Sequence, residues 1–423
     1  MSDIYERLDS LETLGIKFGL ENIHRLLERL GNPERKYPSI LIAGTNGKGS
    51  VGVMLEGMLH RNGFRTGYYL SPHLVDVQER IRLDCKKIQE KAFETFLSRV
   101  FDVIDQLSIS PTYFETLTAT SLLIFAEEKV EWAVVEVGLG GRLDATNAIP
   151  QALSIITSIG LDHETFLGQH LESIAREKAM ISKPEVPMVM GSLPDEAKKV
   201  VEQVCAATSS PVFDVSASNI SEPRLETGFP VFRYEPWDRR IRVNLRGKHQ
   251  MENASIALLA VDKLQENGCQ IDRDLAVQAL DRVRWPGRLE LPPGFTPPLL
   301  LDCAHNPMGV RALSEFLDDT QWATSIFLFT AMNDKNYAEM LRLVGPRTAK
   351  IVLCTVEPVN RCATMEELSV AASNAGMEWT FESAPATALR QAISLSKASG
   401  IPLVAFGSIY FIGQLFRILR IAT

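Results

Sequence analysis

Short apolar runs alternate with longer amphipathic stretches along almost the whole chain. Ile40–Ala43, Arg65–Leu70, Trp132–Val137, Leu153–Ile159 and Pro187–Met190 are largely apolar and too short for buried helices. Such runs predict strands covered on both faces. Between them, Val51–His60, Lys91–Gln106 and Thr116–Glu128 repeat their apolar residues at helical spacing. A strand–helix–strand rhythm predicts an α/β fold built on a mostly parallel sheet. Around Phe229–Leu245 the pattern turns to β-rich alternation, which suggests a small antiparallel patch, and a helix is expected from about Gln250 to Glu266.

The clearest break lies at Trp285–Pro298, which holds five prolines and two glycines and supports no helix. Beyond it the rhythm restarts, with strands expected at Leu299–Cys303, Ser325–Thr330, Lys350–Cys354, Trp379–Glu382 and Leu403–Phe406. The expected division is therefore an N-terminal unit over 1–290, a linker over 291–298 and a smaller α/β unit over 299–423. No internal repeat or low-complexity tract interrupts this plan.

Composition narrows the class. A chain of 423 residues with 45% hydrophobic and 23% charged residues is expected to form two or three globular domains. No apolar run reaches the roughly 20 residues of a membrane span, and Met1–Leu11 is charged and lacks the apolar core of a secretory signal. Cysteines 85, 205, 269, 303, 354 and 362 are scattered without a C-x-x-C pair, as expected for reduced thiols in a cytoplasmic protein. A net charge of −8 argues against nucleic acid as a partner. An anionic ligand must then be held by a local site.

Such a site follows the first predicted strand. Gly44-Thr45-Asn46-Gly47-Lys48-Gly49-Ser50 reads as a glycine-rich loop opening a helix. Its backbone N–H groups and the helix's positive end suit a polyphosphate, with Lys48 reaching the outer phosphates and Ser50 a magnesium ion. The strict P-loop spacing is not met, because Ile42 stands where its first glycine belongs and Gly49 separates Lys48 from Ser50.

Glu136 closes a hydrophobic strand, where open α/β sheets place their ligands, and a carboxylate beside a phosphate loop suits a divalent metal. Gly138-x-Gly140 invites a dinucleotide reading, but Leu143 occupies the third glycine position. His163, after Leu153–Ile159, is either a metal ligand or an ordinary hydrogen-bonded histidine. Lys178, in Arg176-Glu177-Lys178 on a predicted helix, reads by composition as a solvated surface residue. Further on, Gly247–Asn253 opens the helix before the linker, and Arg288 sits in the linker with a planar fork of donors suited to phosphate. Asp302 and His305 leave the first strand of the second unit, facing the cleft, and Pro307 is suited to starting a helix.

Taken together, Gly44–Ser50, Ser71-Pro72-His73-Leu74, Glu136–Asn147, Leu161–Gly168, Arg176–Ala179, His249–Ala254, Pro286–Leu289 and Leu301–Pro307 resemble folylpolyglutamate synthase, including its bifunctional dihydrofolate synthase form. That family belongs to the Mur-type ATP-dependent ligases, and its loop shares the irregular spacing seen here. The resemblance implies a Mur ligase central-domain-like sheet followed by a Rossmann-like C-terminal domain that binds glutamate. It implies a ligase adding L-glutamate to folates, and to dihydropteroate, through an acyl phosphate.

The resemblance also assigns residues. Gly44, Thr45, Asn46, Gly47, Lys48, Gly49 and Ser50 would hold ATP with Asn253, Arg288 and Asp302. Ser71, Glu136 and His163 would ligate Mg2+, and Lys178, as a carbamate, would steady a second Mg2+. Gly19, Leu20, Glu21, Asn22, Thr112, Tyr113, Phe114, Glu115, Leu143, Asp144 and Ala145 match stretches that contact the pterin. Lys48, Lys178 and His305 are the catalytic candidates. The expected partners are small molecules (folate or dihydropteroate, L-glutamate, ATP), with no nucleic acid or membrane, and the family favours a monomer. Cys303 and Met180 depart from the family, each standing where glycine is usual.

The rival readings are a cell-wall precursor ligase of the same type, a P-loop NTPase and a non-catalytic nucleotide-binding module. The first acts on nucleotide-linked precursors, and no extra N-terminal domain for a uridine nucleotide is evident. No N-K-x-D guanine-reading motif occurs, since Asn333-Asp334-Lys335 does not supply one.

Overall fold

The computed structural model describes residues 3–15, 17, 19–215, 220–320, 322–356 and 361–422. Two main sheets organise them. The first contains β1 (Ser39–Ala43), β2 (Thr66–Tyr69), β3 (Ile81–Leu83), β4 (Lys86–Lys87), β5 (Trp132–Glu136), β6 (Leu153–Ile156), β7 (Met188–Met190) and β8 (Val212–Asp214). Its order is β4-β3-β2-β5-β1-β6-β7-β8. From β2 to β8 in that order the strands run parallel, and β3 and β4 form an antiparallel margin beside β2.

Successive side chains point to opposite faces, as the pleat requires. Leu41, Ala43, Val135 and Ile156 enter one core, while Ile40, Ile42, Val134 and Ile155 enter the other. Helices Glu90–Leu107 and Tyr113–Glu127 contribute to the first core, and Lys48–Arg61 and His249–Glu266 to the second. Being apolar on both faces is why these strands read as unbroken hydrophobic runs.

A separate antiparallel sheet of β9 (Ile220–Glu226), β10 (Phe229–Tyr234) and β11 (Arg239–Arg242) packs through Phe232, Tyr234 and Ile241 onto the second core. It begins earlier than the expected patch. A further helix, Arg273–Leu280, stands between His249–Glu266 and the linker, so the helix that Gly247–Asn253 opens is not the last one before it.

The second main sheet is wholly parallel. It contains β12 (Leu299–Leu301), β13 (Ser325–Phe329), β14 (Thr348–Cys354), β15 (Trp379–Glu382) and β16 (Leu403–Phe406) in the order β12-β16-β13-β14-β15. Phe327, Phe329 and Phe406 pack ring to ring on one face. Full burial of such a side chain stabilises by about 1.5–3 kcal/mol. The linker carries no helix, and Leu289 joins the core of this second sheet while Glu290 bridges Leu301.

The carboxyl ends of the parallel strands in both sheets converge on one cleft. There Asn46 and Asn306 exchange reciprocal 3.0 Å amide hydrogen bonds, and Lys335 Nζ lies 2.6 Å from Asp162 Oδ1. Among the described residues, no helix is long and apolar enough to cross a membrane.

Candidate active site

The phosphate loop is built by positions only glycine tolerates. Gly44 has φ +152°, and a Cβ there would lie 1.9 Å from Thr157 Oγ1. Gly47, which caps helix Lys48–Arg61, has φ +90°, and a Cβ there would lie 2.6 Å from Asn253 Oδ1. The segment after β6 fastens the loop: Thr45 N–H donates to the Ser158 carbonyl at 2.8 Å, and the Thr157 and Ser158 hydroxyls both donate to the Asn46 carbonyl, at 2.6 and 2.9 Å. β6 stops at Ile156, short of the expected Ile159: Thr157 N–H still donates to the Ala43 carbonyl at 2.9 Å, but its hydroxyl and the residues up to Gly160 bond the loop.

Two lysines enter this loop. Lys48 Nζ donates to the Gly44 carbonyl at 3.0 Å and lies 3.9 Å from Glu136 Oε1. Lys178 Nζ donates to the same carbonyl at 3.0 Å. Lys178 is buried on helix Leu171–Ala179, so the solvated-surface reading of its composition is wrong. Burial first, and then the charge of Lys48, lowers its pKa to about 7.

Glu136 ends β5 opposite Ile42 and is buried, its Oε2 accepting from the Tyr68 hydroxyl at 3.2 Å. Burial raises its pKa, opposed by Lys48, Tyr68, Arg288 and the Ser71 N–H. Ser71, Glu136, His163 and Lys178 all line the same pocket of about 160 Å3 with Gly44–Ser50, Asn253, Arg288 and His305. His163 does not continue a strand. It has φ +52° and stands before the short helix Glu164–Leu167, with Nδ1 3.9 Å from Asp334 and Nε2 3.5 Å from Lys335 Nζ. Burial and Lys335 lower its pKa to about 4, leaving a neutral ring.

Asp302 uses both oxygens on backbone, accepting from Leu289 N–H at 2.8 Å and Ala304 N–H at 2.9 Å. It thereby anchors the linker beside Arg288, which opposes the rise that burial gives its pKa. Asn253 Nδ2 donates to Gln250, which in turn reaches Ser50 Oγ at 3.3 Å. His305 Nδ1 lies 2.9 Å from the Cys303 carbonyl and its Nε2 3.8 Å from Asp162. Burial lowers its pKa to about 4.

A larger cleft of about 520 Å3 adjoins the loop pocket and shares Ser71, Gly138–Gly140, His163 and His305 with it. Gly19, Thr112–Glu115 and Leu143–Ala145 line it. Leu20, Glu21 and Asn22 lie instead at the start of helix Glu21–Arg29 and do not line it. The carboxylates of Glu115 and Asp144 already serve local structure. Glu115 accepts from Thr112 N–H and Oγ1, and Asp144 from Leu139 N–H and from Thr146 N–H and Oγ1.

Sequence reasoning missed Asp162, Lys335, Arg361, Ser408 and Tyr410. Asp162 accepts from Asn306 Nδ2 at 2.9 Å and from Lys335 Nζ at 2.6 Å, and against the rise that burial gives, Lys335 with His305 and His163 holds its carboxyl well below the usual range. Ser408 is buried in the cleft wall with an unpartnered hydroxyl at the N-terminus of helix Ile409–Leu419, and Arg361 lies over the Tyr410 ring. The one available signal was position: Lys335, Ser408 and Tyr410 follow closely on the carboxyl ends of β13 and β16.

Comparison with known proteins agrees with this geometry. Residues 42–261 match the Mur ligase middle domain, and residues 287–409 match the Mur ligase glutamate ligase domain. The chain is 33% identical over 418 residues to the dihydrofolate synthase/folylpolyglutamate synthase of Bacillus subtilis, covering 96% of each. It superposes on the Mycobacterium tuberculosis folylpolyglutamate synthase complexed with ADP with a TM-score of 0.90, at 29% identity and full coverage of both chains. A bifunctional folylpolyglutamate synthase/dihydrofolate synthase with Mn, AMPPNP and L-glutamate bound gives 0.85, at 28% identity over 100% of this chain and 99% of that one.

Proposed function

We propose that this chain, which belongs to the dihydrofolate synthase/folylpolyglutamate synthase family of Mur ligases, joins L-glutamate to the carboxylate of folates and of dihydropteroate by way of an acyl phosphate. It is an ATP-dependent acid–amino-acid ligase. The observation that carries the residue-level reading is the junction of the loop pocket with the 520 Å3 cleft at Ser71, Gly138–Gly140, His163 and His305. A carboxylate in the cleft meets a terminal phosphate on the loop there.

Gly47, Lys48, Gly49 and Ser50 cradle the phosphates, with Asn253, Arg288 and Asp302 completing the nucleotide site. Lys48 leaves the Gly44 carbonyl for the transferring phosphoryl group and offsets its charge. The acid's oxygen attacks the terminal phosphorus, and ADP leaves. The free amine of L-glutamate then attacks the acyl carbon, the C–O bond to phosphate breaks, and the amine's proton passes to solvent or a neighbouring base. The neutral His305 ring, at the junction and beside Asp162, is the group placed to take it. The unpartnered Ser408 hydroxyl, the helix N-terminus behind it and Arg361 suit the carboxylates of L-glutamate.

A divalent cation fits these residues. Among the described residues no three His, Cys, Asp or Glu groups come together as a cage. Magnesium, however, is usually held by one or two protein oxygens together with substrate phosphates and water. Glu136, a buried carboxylate whose pKa burial raises, suits that role with Ser71, and His163 lines the same pocket. Such a cation offsets phosphate charge when bound. Lys178 is the proposed carbamate: its neutral amine adds to CO2 with loss of a proton, replacing a cation by an anion beside the loop and favouring a second Mg2+. Its lowered pKa supports this.

The division into 1–290, the linker 291–298 and 299–423 is retained as a proposal, and closure of the two units about the linker would exclude water from the acyl phosphate. The test of the function is whether ADP release requires both the acid and L-glutamate.

A further inference from the structure

Tyr68 is fully buried on β2, beside Val134 of β5, and lines neither the loop pocket nor the cleft. Its hydroxyl nevertheless reaches two parts of the nucleotide site. It donates to Glu136 Oε2 at 3.2 Å and stands 3.4 Å from the carbonyl oxygen of Gly49, in the first turn of helix Lys48–Arg61. Among the described residues, this is the one side-chain hydrogen bond that Glu136 accepts. The other oxygen of Glu136, Oε1, is on the loop's side, 3.9 Å from Lys48 Nζ. The phenol has little room to move. Its ring centre lies 6.1 Å from that of Trp285, and the helix passes so close that a Cβ on Gly52 would lie 2.4 Å from the hydroxyl oxygen. A buried tyrosine needs an acceptor for its hydroxyl, and the Gly49 carbonyl would meet that need by itself. The shorter contact goes instead to the carboxylate, the stronger acceptor of the two.

We propose that Tyr68 is a positioning residue: it holds Glu136 with Oε1 toward the loop pocket and ties that carboxylate to the turn that binds the phosphates, so that a divalent cation and the nucleotide strengthen each other's binding. The inference rests on the proposed role of Glu136 in holding the cation. Because Tyr68 lines neither cavity, it acts through Glu136 and Gly49 and touches no substrate. Groups that orient a metal ligand from behind commonly matter by roughly 10- to 100-fold in metal affinity. The 3.2 Å bond is longer than the usual O–H···O length of about 2.7–2.8 Å, which puts the expectation at the lower end of that range. Coupling of this kind is reciprocal, so the cation must tighten the nucleotide by the same factor as the nucleotide tightens the cation.

The experiment measures by calorimetry the binding of AMPPCP, a non-hydrolysable ATP analogue, to the full chain, once in EDTA and once in excess Mn2+, with neither acid nor L-glutamate present. The ratio of the two affinities is the coupling between cation and nucleotide. In Tyr68→Phe this ratio is expected to fall about 10-fold through the Mn2+ form, with the metal-free affinity changed less than about twofold. Glu136→Gln should lower the ratio at least as far, and Tyr68→Phe added to Glu136→Gln should lower it no further. An unchanged ratio in Tyr68→Phe, as loss of packing alone would give, or additive losses in the double variant would overturn the inference. If Tyr68→Phe does not fold, Tyr68→Met, which fills the space without a hydroxyl, is read by the same criteria. Wild-type protein that binds both forms equally overturns the inference with no variant at all. A ratio unchanged by Glu136→Gln would overturn the role of Glu136 in holding the cation, and this inference with it, while the ligase function would still be decided by ADP release.

Discussion

Lys48 and Lys178 donate to one acceptor, the Gly44 carbonyl, each at 3.0 Å. Two ammonium groups on one oxygen repel, and of the pair the buried Lys178 yields, its pKa falling to about 7. The loop thus holds Lys48 in place with a backbone oxygen, and Lys178 is kept near neutrality.

The first prediction is a pH-dependent stability. Between about pH 7 and the ordinary lysine value near 10.4, the unfolded chain binds a proton at Lys178 that the folded chain does not. Wild-type stability therefore gains on this account as pH rises through that window, by up to about 1.4 kcal/mol per unit. Lys178→Met should be more stable than wild type at pH 6, and its margin should shrink from pH 7 upward. Urea midpoints across pH check this, and a margin independent of pH would contradict it.

The carbamate gives a second prediction. Protein equilibrated with 13C-bicarbonate at pH 8 should show a carbamate carbon by NMR that is absent in Lys178→Arg, and lowering the pH well below 7 should abolish it, because the amine becomes charged. The same signal in both proteins would place the carbamate elsewhere.

For the phosphate loop, Lys48→Ala should lower kcat by about 10^2- to 10^3-fold, the usual effect of losing a charged donor aimed at a transition state. Gly47→Ala should weaken nucleotide binding measured by calorimetry. The added Cβ would lie 2.6 Å from Asn253 Oδ1 at a positive φ. Unchanged binding would mean that neither the contact nor the backbone conformation matters.

The buried Asp162–Lys335 pair joins segments following strands of the two main sheets. Lys335→Met leaves an uncompensated carboxylate and should destabilise by about 3–5 kcal/mol. Because Lys335 and the neighbouring histidines depress the Asp162 pKa, the contribution is present above the ordinary carboxylate value near 4 and is lost as pH falls below it. The difference between wild type and Lys335→Met should therefore narrow in acid. A constant difference would argue for packing alone.

The strands of both main sheets were legible because burial on two faces makes them apolar throughout, as at Ile40–Ala43 and Leu403–Phe406. β3, β4 and β8 were not, because they lie at the two margins of the first sheet and of their residues only Ile81 is buried, so no apolar run marks them. The loop and Glu136 were legible because each sits at a strand's carboxyl end beside an apolar run. Lys178 was misread by composition, since Arg176-Glu177-Lys178 is charged in sequence while only its lysine turns inward. Tyr68, Asp162 and Lys335 escaped because their meaning lies in partners far away in the chain.

The most direct test of the central claim is ADP release by the purified protein with Mg-ATP, with and without L-glutamate, and with tetrahydrofolate, dihydropteroate or no acid. Release that needs both an acid and L-glutamate, with a product heavier by one glutamyl residue, is the predicted result. Equal release without either would contradict the ligase and leave a simple nucleotide hydrolase in its place.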